Sequence, residues 1–370
     1  MKKNKLLNGL LFCLQTTLIT GLSLFSVANV SCKISAEGLK LIKGDYETPL
    51  LENFVVEDAT NLRLNFSKSV KLSSCSITEE LENQDETGTE SSWFGTNFVY
   101  SDDDKEVLIA VDQELKLGKK YELFGVVEDS YGNSLTFSIP FFGFNGRVPK
   151  IVMTEIQSAS VGSQNTKEKA AGTYRNEYIE FLCLESGNLF GLEVLSGYDG
   201  EEKKFVFPSV EVKKGEVFVV HLRNRGNGCI SENEDDLSLA WSSYTEDGIR
   251  DLWGCQEGTL LGNKTDVIIV RNQANKDILD AAFYRDSGVA NWTKEMETYA
   301  SLAEKAGIYD TNKIAAASVS DGLTDTKILY RKDAFELKNQ LGSSEILSYP
   351  LKAGDWLVGS STPGIIEQDL

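Results

Sequence analysis

Between about residue 60 and residue 286 the chain is written in short segments whose apolar residues alternate with polar ones or run in β-branched and aromatic clusters. NLRLNFSKSV (61–70), EVLIAVDQ (106–113), KKYELFGVVED (119–129) and SLTFSIPFF (134–142) are four of them. Turn-forming clusters separate them: TEELENQDETGTESS (78–92), SDDDKE (101–106), ELKLGKK (114–120) and DSYGNS (129–134). A period of two is the signature of a strand with one buried face. Short strands at this spacing predict a β-sandwich of roughly 100 residues. After GFNGRVP (143–149), punctuated by Gly143, Gly146 and Pro149, a second series begins. It comprises KIVMTEI (150–156), NEYIEFLCLE (176–185), LFGLEVLSG (189–197), KKFVFPSVEV (203–212), GEVFVVHLR (215–223), DLSLAW (236–241), TDVIIVRN (265–272) and DILDAAFYRD (277–286). The chain is therefore expected to be mainly β: a first β-sandwich and, after the break at 143–149, a second all-β domain in series with it.

One stretch breaks the pattern. NWTKEMETYASLAEKAG places Trp292, Met296, Tyr299, Ala300 and Ala303 at helical spacing, which predicts a helix near 291–306 ending at Gly307. A weaker helical pattern covers RKDAFELKNQL (331–341). Together they predict a small helical insertion, about 291–345, near the C-terminus.

The N-terminus reads MKKNK and then a long apolar run to Val30. A basic start, an apolar run and the small residues Ala28 and Ser31 at its end are the parts of an export signal, expected over 1–31 and followed by a tether over 32–46. A retained membrane anchor is the alternative, since the run is long enough to span a bilayer. Cys32 stands where the leader gives way to polar chain, preceded by Asn29, Val30 and Ser31. The leader resembles a bacterial lipoprotein signal, which implies that Cys32 carries lipid and anchors the protein to a membrane. Ordinary cleavage after Ala28 is the other reading.

The order FSKSV, strand, LKLGKKYEL, VEDSYGN and a final apolar strand resembles the bacterial Ig-like domains of surface proteins, over roughly 47–146. The resemblance implies that Leu117 and Tyr121 pack inward and that Asp129, Gly132 and Asn133 form a turn. Further on, VMTEIQ, EYIEFLCLESGNLFGLEVL, Lys214-Gly215 with Val217 to Val220, Asp355-Trp356 and Thr362-Pro363-Gly364 follow one another in an order similar to the lamin-tail domain, over about 149–366. That resemblance implies a second Ig-like sandwich. ILYRKD also resembles a segment near that family's end.

Chemistry-bearing sets are sparse. His221 is the only histidine and lies on the alternating GEVFVVHLR, so a packed or surface imidazole is expected rather than a catalytic base. No G-x-S-x-G elbow and no CxxC occurs. Cys183 reads as a buried small hydrophobe. Cys229 and Cys255, each beside a glycine, are the candidate disulfide. The acidic runs Asp102-Asp103-Asp104 and 231-SENEDD-236, with Glu234, Asp235 and Asp236, are weak candidate calcium ligands, solvated loops being the plainer reading. Trp241, Tyr244 and Trp253 are candidate partner contacts, or else filler of the sandwich core. With 56 acidic against 37 basic residues, net charge −19, the chain repels phosphate backbones, and nucleic acid is disfavoured as a partner.

These features lead to the expectation of an envelope-anchored, non-enzymatic interaction or structural lipoprotein without a cofactor. It would sit on the outer surface or in the periplasm and bind an unidentified protein or carbohydrate. The alternatives are an extracytoplasmic hydrolase associated with nuclease or phosphoesterase activity, and a calcium-dependent carbohydrate-binding module.

Overall fold

The computed structural model describes residues 45–80, 96–159, 177–222, 229–240, 245, 247–254, 260–341 and 349–367. The chain divides by its internal contacts into Met1–Glu47 and Thr48–Leu370, and every element below belongs to the second unit. The expected export signal and nearly all of the tether lie outside the described residues, as does Cys32.

The first sandwich is built from β1 (Leu51–Val56), β2 (Asn61–Phe66), β3 (Lys71–Glu79), β4 (Thr96–Tyr100), β5 (Glu106–Val111), β6 (Lys120–Glu128) and β7 (Ser134–Phe142). One sheet has the order β1-β2-β5-β4, and the other is β3-β6-β7. The alternation seen in the sequence is the burial pattern. Leu62, Leu64 and Phe66 on β2, Val107 and Ile109 on β5, and Tyr121, Leu123 and Val127 on β6 point inward. Each such side chain stabilises the fold by about 1.5–3 kcal/mol on burial. Tyr121 packs inward as expected, and its hydroxyl accepts from the Lys116 amide at 2.9 Å. Leu117 is only half-buried, and Leu115 takes the core position instead.

The two short motifs of this sandwich meet. Lys68 of FSKSV lies 3.4 Å from Asp129 of DSYGN. Asp129 also accepts from the amides of Tyr131 and Asn133, both at 2.9 Å, and Gly132 has φ +84°. The positive φ is the reason glycine stands there.

Residues 143–149 are bonded into the next domain rather than left as a loose link. Asn145 Nδ2 donates to the carbonyls of Asn188, 2.7 Å, and Phe190, 2.8 Å, while the Asn188 amide donates to the Arg147 carbonyl at 2.7 Å. The ring of Phe142 meets Phe190 edge-on, centroids 5.3 Å apart.

The second sandwich contains β8 (Lys150–Gln157), β9 (Tyr178–Glu185), β10 (Gly187–Asn188), β11 (Leu192–Ser196), β12 (Gly200–Val206), β13 (Glu211–Val212), β14 (Val217–His221), β15 (Arg250–Trp253), β16 (Asp266–Asn272), β17 (Ile278–Arg285), β18 (Ser318–Val319), β19 (Lys327–Arg331) and β20 (Trp356–Ser360). A five-stranded sheet, β12-β11-β16-β17-β18, faces a six-stranded one, β15-β14-β9-β8-β19-β20, and β10 pairs with β13. Their shared interior is lined by Ile151, Phe181, Phe218, Ile268, Leu329 and Trp356 among others.

Both outer faces are covered in part by helix. Helix α1 (Lys294–Lys305) buries Met296, Tyr299, Ala300 and Ala303 against Leu195, Val267, Ile269 and Phe283 of the five-stranded sheet. Thr293 caps it by accepting from the Met296 amide, and Gly307, φ +74°, follows its end, so the helix occupies the stretch the sequence predicts. Helix α2 (Ala334–Asn339) covers Val152, Leu182 and Val217 of the six-stranded sheet through Ala334 and Leu337. Between these helices runs β19, hydrogen-bonded to both β8 and β20. The segment about 291–345 thus places a strand inside the sheet as well as helices on its surfaces.

DLSLAW does not form the expected strand; over 236–240 the chain is loop. Its backbone donors go to side chains. Asp236 accepts from the Ser238 amide at 3.1 Å, and Glu232 accepts from the amides of Leu239 and Ala240 at 3.0 Å each. Acidic side chains that capture nearby amides compete with a ladder in this way. The strand is instead RDLW, which lies parallel to β14 as β15.

Candidate functional site

The outer face of the six-stranded sheet carries a buried polar seam. Register places Asp251, Val219, Glu180, Glu155 and Tyr330 in one row across β15, β14, β9, β8 and β19, with His221 and Tyr178 in the next. A bulge between Met153 and Glu155 adds one residue to β8, which brings both Thr154 and Glu155 beside Glu180. The C-terminal segment 361–366 lies over this row as a strap.

The two glutamates accept from the amides of Thr362 and Gly364 and from the Thr362 hydroxyl. Thr362 Oγ1 donates to Glu155 Oε1 at 2.6 Å, and the Thr362 amide reaches Glu155 Oε2 at 3.3 Å. The Gly364 amide donates to Glu180 Oε2 at 2.6 Å, and Thr154 Oγ1 donates to Glu180 Oε1 at 2.5 Å. Tyr178 donates its hydroxyl to Glu155 Oε2 at 2.8 Å and lies 2.7 Å from Ser361 Oγ. Gly364, φ +89°, presses on Ile249, where an added Cβ would come within 2.8 Å. Burial raises both carboxyls above the ordinary glutamate value, Glu180 to about 8, and the neighbouring Glu155 charge pushes Glu180 further in the same direction.

The seam continues to the histidine. His221 is fully buried, with Nε2 2.6 Å from Asp251 Oδ1 and its ring stacked on Trp253 at a centroid separation of 4.0 Å. Thr245 Oγ1 donates to the other oxygen of Asp251 at 2.5 Å, and the Asp251 amide donates to Glu232 at 2.8 Å. This geometry orients an imidazole and closes it off from solvent.

The residues singled out in the sequence are dispersed. Trp253 is 7% exposed, and its indole stacks on the His221 ring. Trp241, Tyr244 and Cys255 lie outside the described residues, and so therefore does the pairing of Cys255 with half-buried Cys229. Asp102, Asp103 and Asp104 form a turn in which Asp103 accepts from Ser101 Oγ and the Lys105 amide. Glu234, Asp235 and Asp236 are exposed, and Asp235 lies 3.5 Å from Lys213. Among the described residues no group of three or more His, Cys, Asp or Glu side chains is arranged to hold a metal ion. Cys183 is buried as expected, and burial pushes its thiol up to about 12. The glutamate seam was missed as a unit. Its signal was present in the buried glutamates of VMTEIQ and EYIEFL and in the TPG turn, which lie far apart in sequence but meet in space.

Residues 149–348 match the family model TP_1001_2nd, described as protein second domain. The matched span ends before β20 and the strap. An uncharacterized protein of Treponema pallidum (strain Nichols) is 28% identical over 178 residues, 48% of this chain and 42% of that protein's length. Among solved structures, the N-terminal part of the bacterial S-layer protein SbsC aligns over 47% of this chain and 40% of that one, with 19% identity and a TM-score of 0.23. A structure of SbsC domains 1–6 aligns over 61% and 39%, with 14% identity and a TM-score of 0.24. Among the described residues no helix is long and apolar enough to cross a membrane.

Proposed function

Since the chain belongs to the TP_1001_2nd family through residues 149–348, we propose that it is a non-enzymatic interaction or structural protein of the bacterial cell envelope, exported by its leader and anchored by lipid on Cys32. The observation that carries this reading is the closure of its chemically competent groups. The sole histidine is buried beneath Trp253 and bonded to Asp251, and the paired glutamates are bonded to the strap that covers them. A hydrolase needs such groups in reach of a substrate. Here they fasten loops onto a sheet, as a scaffold requires. The basic start and apolar run before Cys32 support export and anchoring.

The test is made on whole cells that carry the full-length chain. Labelled fatty acid should enter the protein and be lost in Cys32→Ser, and protease added outside should either cleave it on intact cells or do so once the outer membrane is opened. Absence of label and a protein found in the cytoplasm would overturn the envelope reading. Metal-dependent turnover of phosphoesters or nucleic acids by the purified chain would overturn the non-enzymatic one.

A further inference from the structure

Glu155 and Glu180 are directly opposed on neighbouring antiparallel strands. Directly opposite residues in such a ladder hold their Cβ atoms about 4.5–5.5 Å apart, and like charges there repel. Both side chains are sealed, at 2% and 0% exposure. Among the described residues no cation forms an ion pair with either. Arg331 of the adjacent β19 is engaged by Asp280 and Asp333. Two unneutralised carboxylates in this setting cannot both ionise without a large desolvation and repulsion cost. Among the described residues, five hydrogen bonds reach the pair, from Thr154, Tyr178, Thr362 and Gly364, and three of them come from the strap.

We propose that Glu155 and Glu180 together retain one proton beneath the 361–366 strap, so that loss of this proton sets two like charges against each other, loosens the strap and uncovers Tyr178, which Ser361 and Glu155 engage beneath it. A narrow cleft of about 20 Å³ beside the pair, lined in part by Thr154, Arg331, Lys332 and Glu367, has room for one water and gives the proton a way out. The charged and titratable groups around the pair come from each element packed on it. They are Tyr178 on β9, Tyr330 and Arg331 on β19, Lys332 after it, Lys338 on α2, Glu367 beyond the strap, and His221 and Asp251 on the neighbouring strands. With Glu180 raised from 4.5 to about 8, the folded protein binds more protons than the unfolded chain between those values. The contribution is therefore full below 4.5 and is lost as pH rises through about 8. The proposal concerns the fold of this chain and stands or falls apart from its cellular role.

Amide hydrogen exchange of Thr362 and Gly364, corrected for intrinsic rates, tests it on the full chain from acid to alkaline pH. Protection is expected to fall by about tenfold or more between pH 4.5 and about 8 and to level off above it, ahead of exchange in the core strands. In Glu180→Gln, which keeps the shape and one acceptor oxygen, this fall should vanish while protection at neutral pH persists. A merely structural glutamate would instead lose protection at every pH on substitution. If Glu180→Gln does not fold, Glu155→Gln and the carboxyl ¹³C titration of the unmodified chain decide. Both carboxyls titrating in the ordinary glutamate range, or a fall that survives substitution, would overturn the proposal.

Discussion

Arg331 and Asp280 meet across the interior of the second sandwich. Arg331 rises from β19 of one sheet and Asp280 from β17 of the other, with Nη1 3.1 Å from Oδ1 and neither side chain exposed. Asp280 also accepts from the Met153 amide, 2.7 Å, and from the Tyr349 hydroxyl, 2.9 Å, while the guanidinium sits 5.6 Å from the Tyr349 ring centroid. The pair therefore fixes how the two sheets are aligned, since strands of both and the segment at Tyr349 share one carboxylate.

Arg331→Met is expected to destabilise the fold by about 3–5 kcal/mol, because it leaves a buried carboxylate without its cation. Asp280→Asn added to it should recover a large part of that loss, since the amide oxygen can still accept from the Met153 amide while the amide nitrogen donates to the Tyr349 hydroxyl. Urea denaturation of the three variants measures both effects. An Arg331→Met protein as stable as the parent would mean that Asp280 is neutral in the folded state.

In the first sandwich Gly125 lies directly beneath Phe137, where an added Cβ would sit 2.4 Å from the ring's Cζ. Gly125→Ala forces the ring out of its place and should cost about 1–3 kcal/mol, the usual range for overpacking a filled core. Pairing it with Phe137→Leu should relieve most of the loss. Thermal unfolding followed by circular dichroism compares the single and double variants.

The strands that could be read from sequence are those whose two faces differ and those sealed on both. β2 and β5 alternate buried with half-buried positions, and β8, β9, β14, β16 and β17 are apolar runs sealed on both faces, so each announces itself in composition. β3 was hidden because its sequence, KLSSCSITE, is mostly polar and it stands at a sheet edge, with Ile77 its one fully buried residue. β15 was hidden because RDLW is short and its order comes from a parallel partner and from Arg250, which bonds Glu216 at 2.7 Å. The candidate site was hidden for a different reason. A glutamate on a strand reads as a solvent-facing residue, and only the return of the chain more than 180 residues later, at Thr362 and Gly364, makes Glu155 and Glu180 interior. Long-range closure of that kind leaves no local periodicity.

The junction at residues 143–149 looks like a flexible linker in composition, yet Asn145 binds two carbonyls of the β10 turn, and Gly187 approaches the Arg147 carbonyl so closely that a Cβ would lie 2.1 Å from it. Asn145→Ala is expected to release this contact and speed tryptic cleavage after Arg147 severalfold, with a loss of about 1–3 kcal/mol for the unpaired buried carbonyls. Gly187→Ala should act in the same direction by pushing the strand away. Limited proteolysis followed by mass spectrometry reads the cleavage site, and an unchanged rate in both variants would show that the contact does not restrain the junction.

Asp129 contributes to the acid sensitivity of the first sandwich. Its carboxylate is held down to about 2, chiefly by the Asn133 side chain and then by the Asn133 and Tyr131 amides, with Lys68 adding to the effect. A folded value below the ordinary 3.8 means that the unfolded chain takes up the proton first. The stabilisation is thus fully present above 3.8 and is lost as pH falls through about 2. Asp129→Asn should lower the melting temperature at neutral pH, and the gap to the parent should close progressively as pH falls below about 4. Lys68→Met should shrink the gap only in part, because the largest contribution comes from Asn133. A gap that stays constant from neutral to strongly acid pH would show that the turn depends on the shape of the Asp129 side chain and not on its charge.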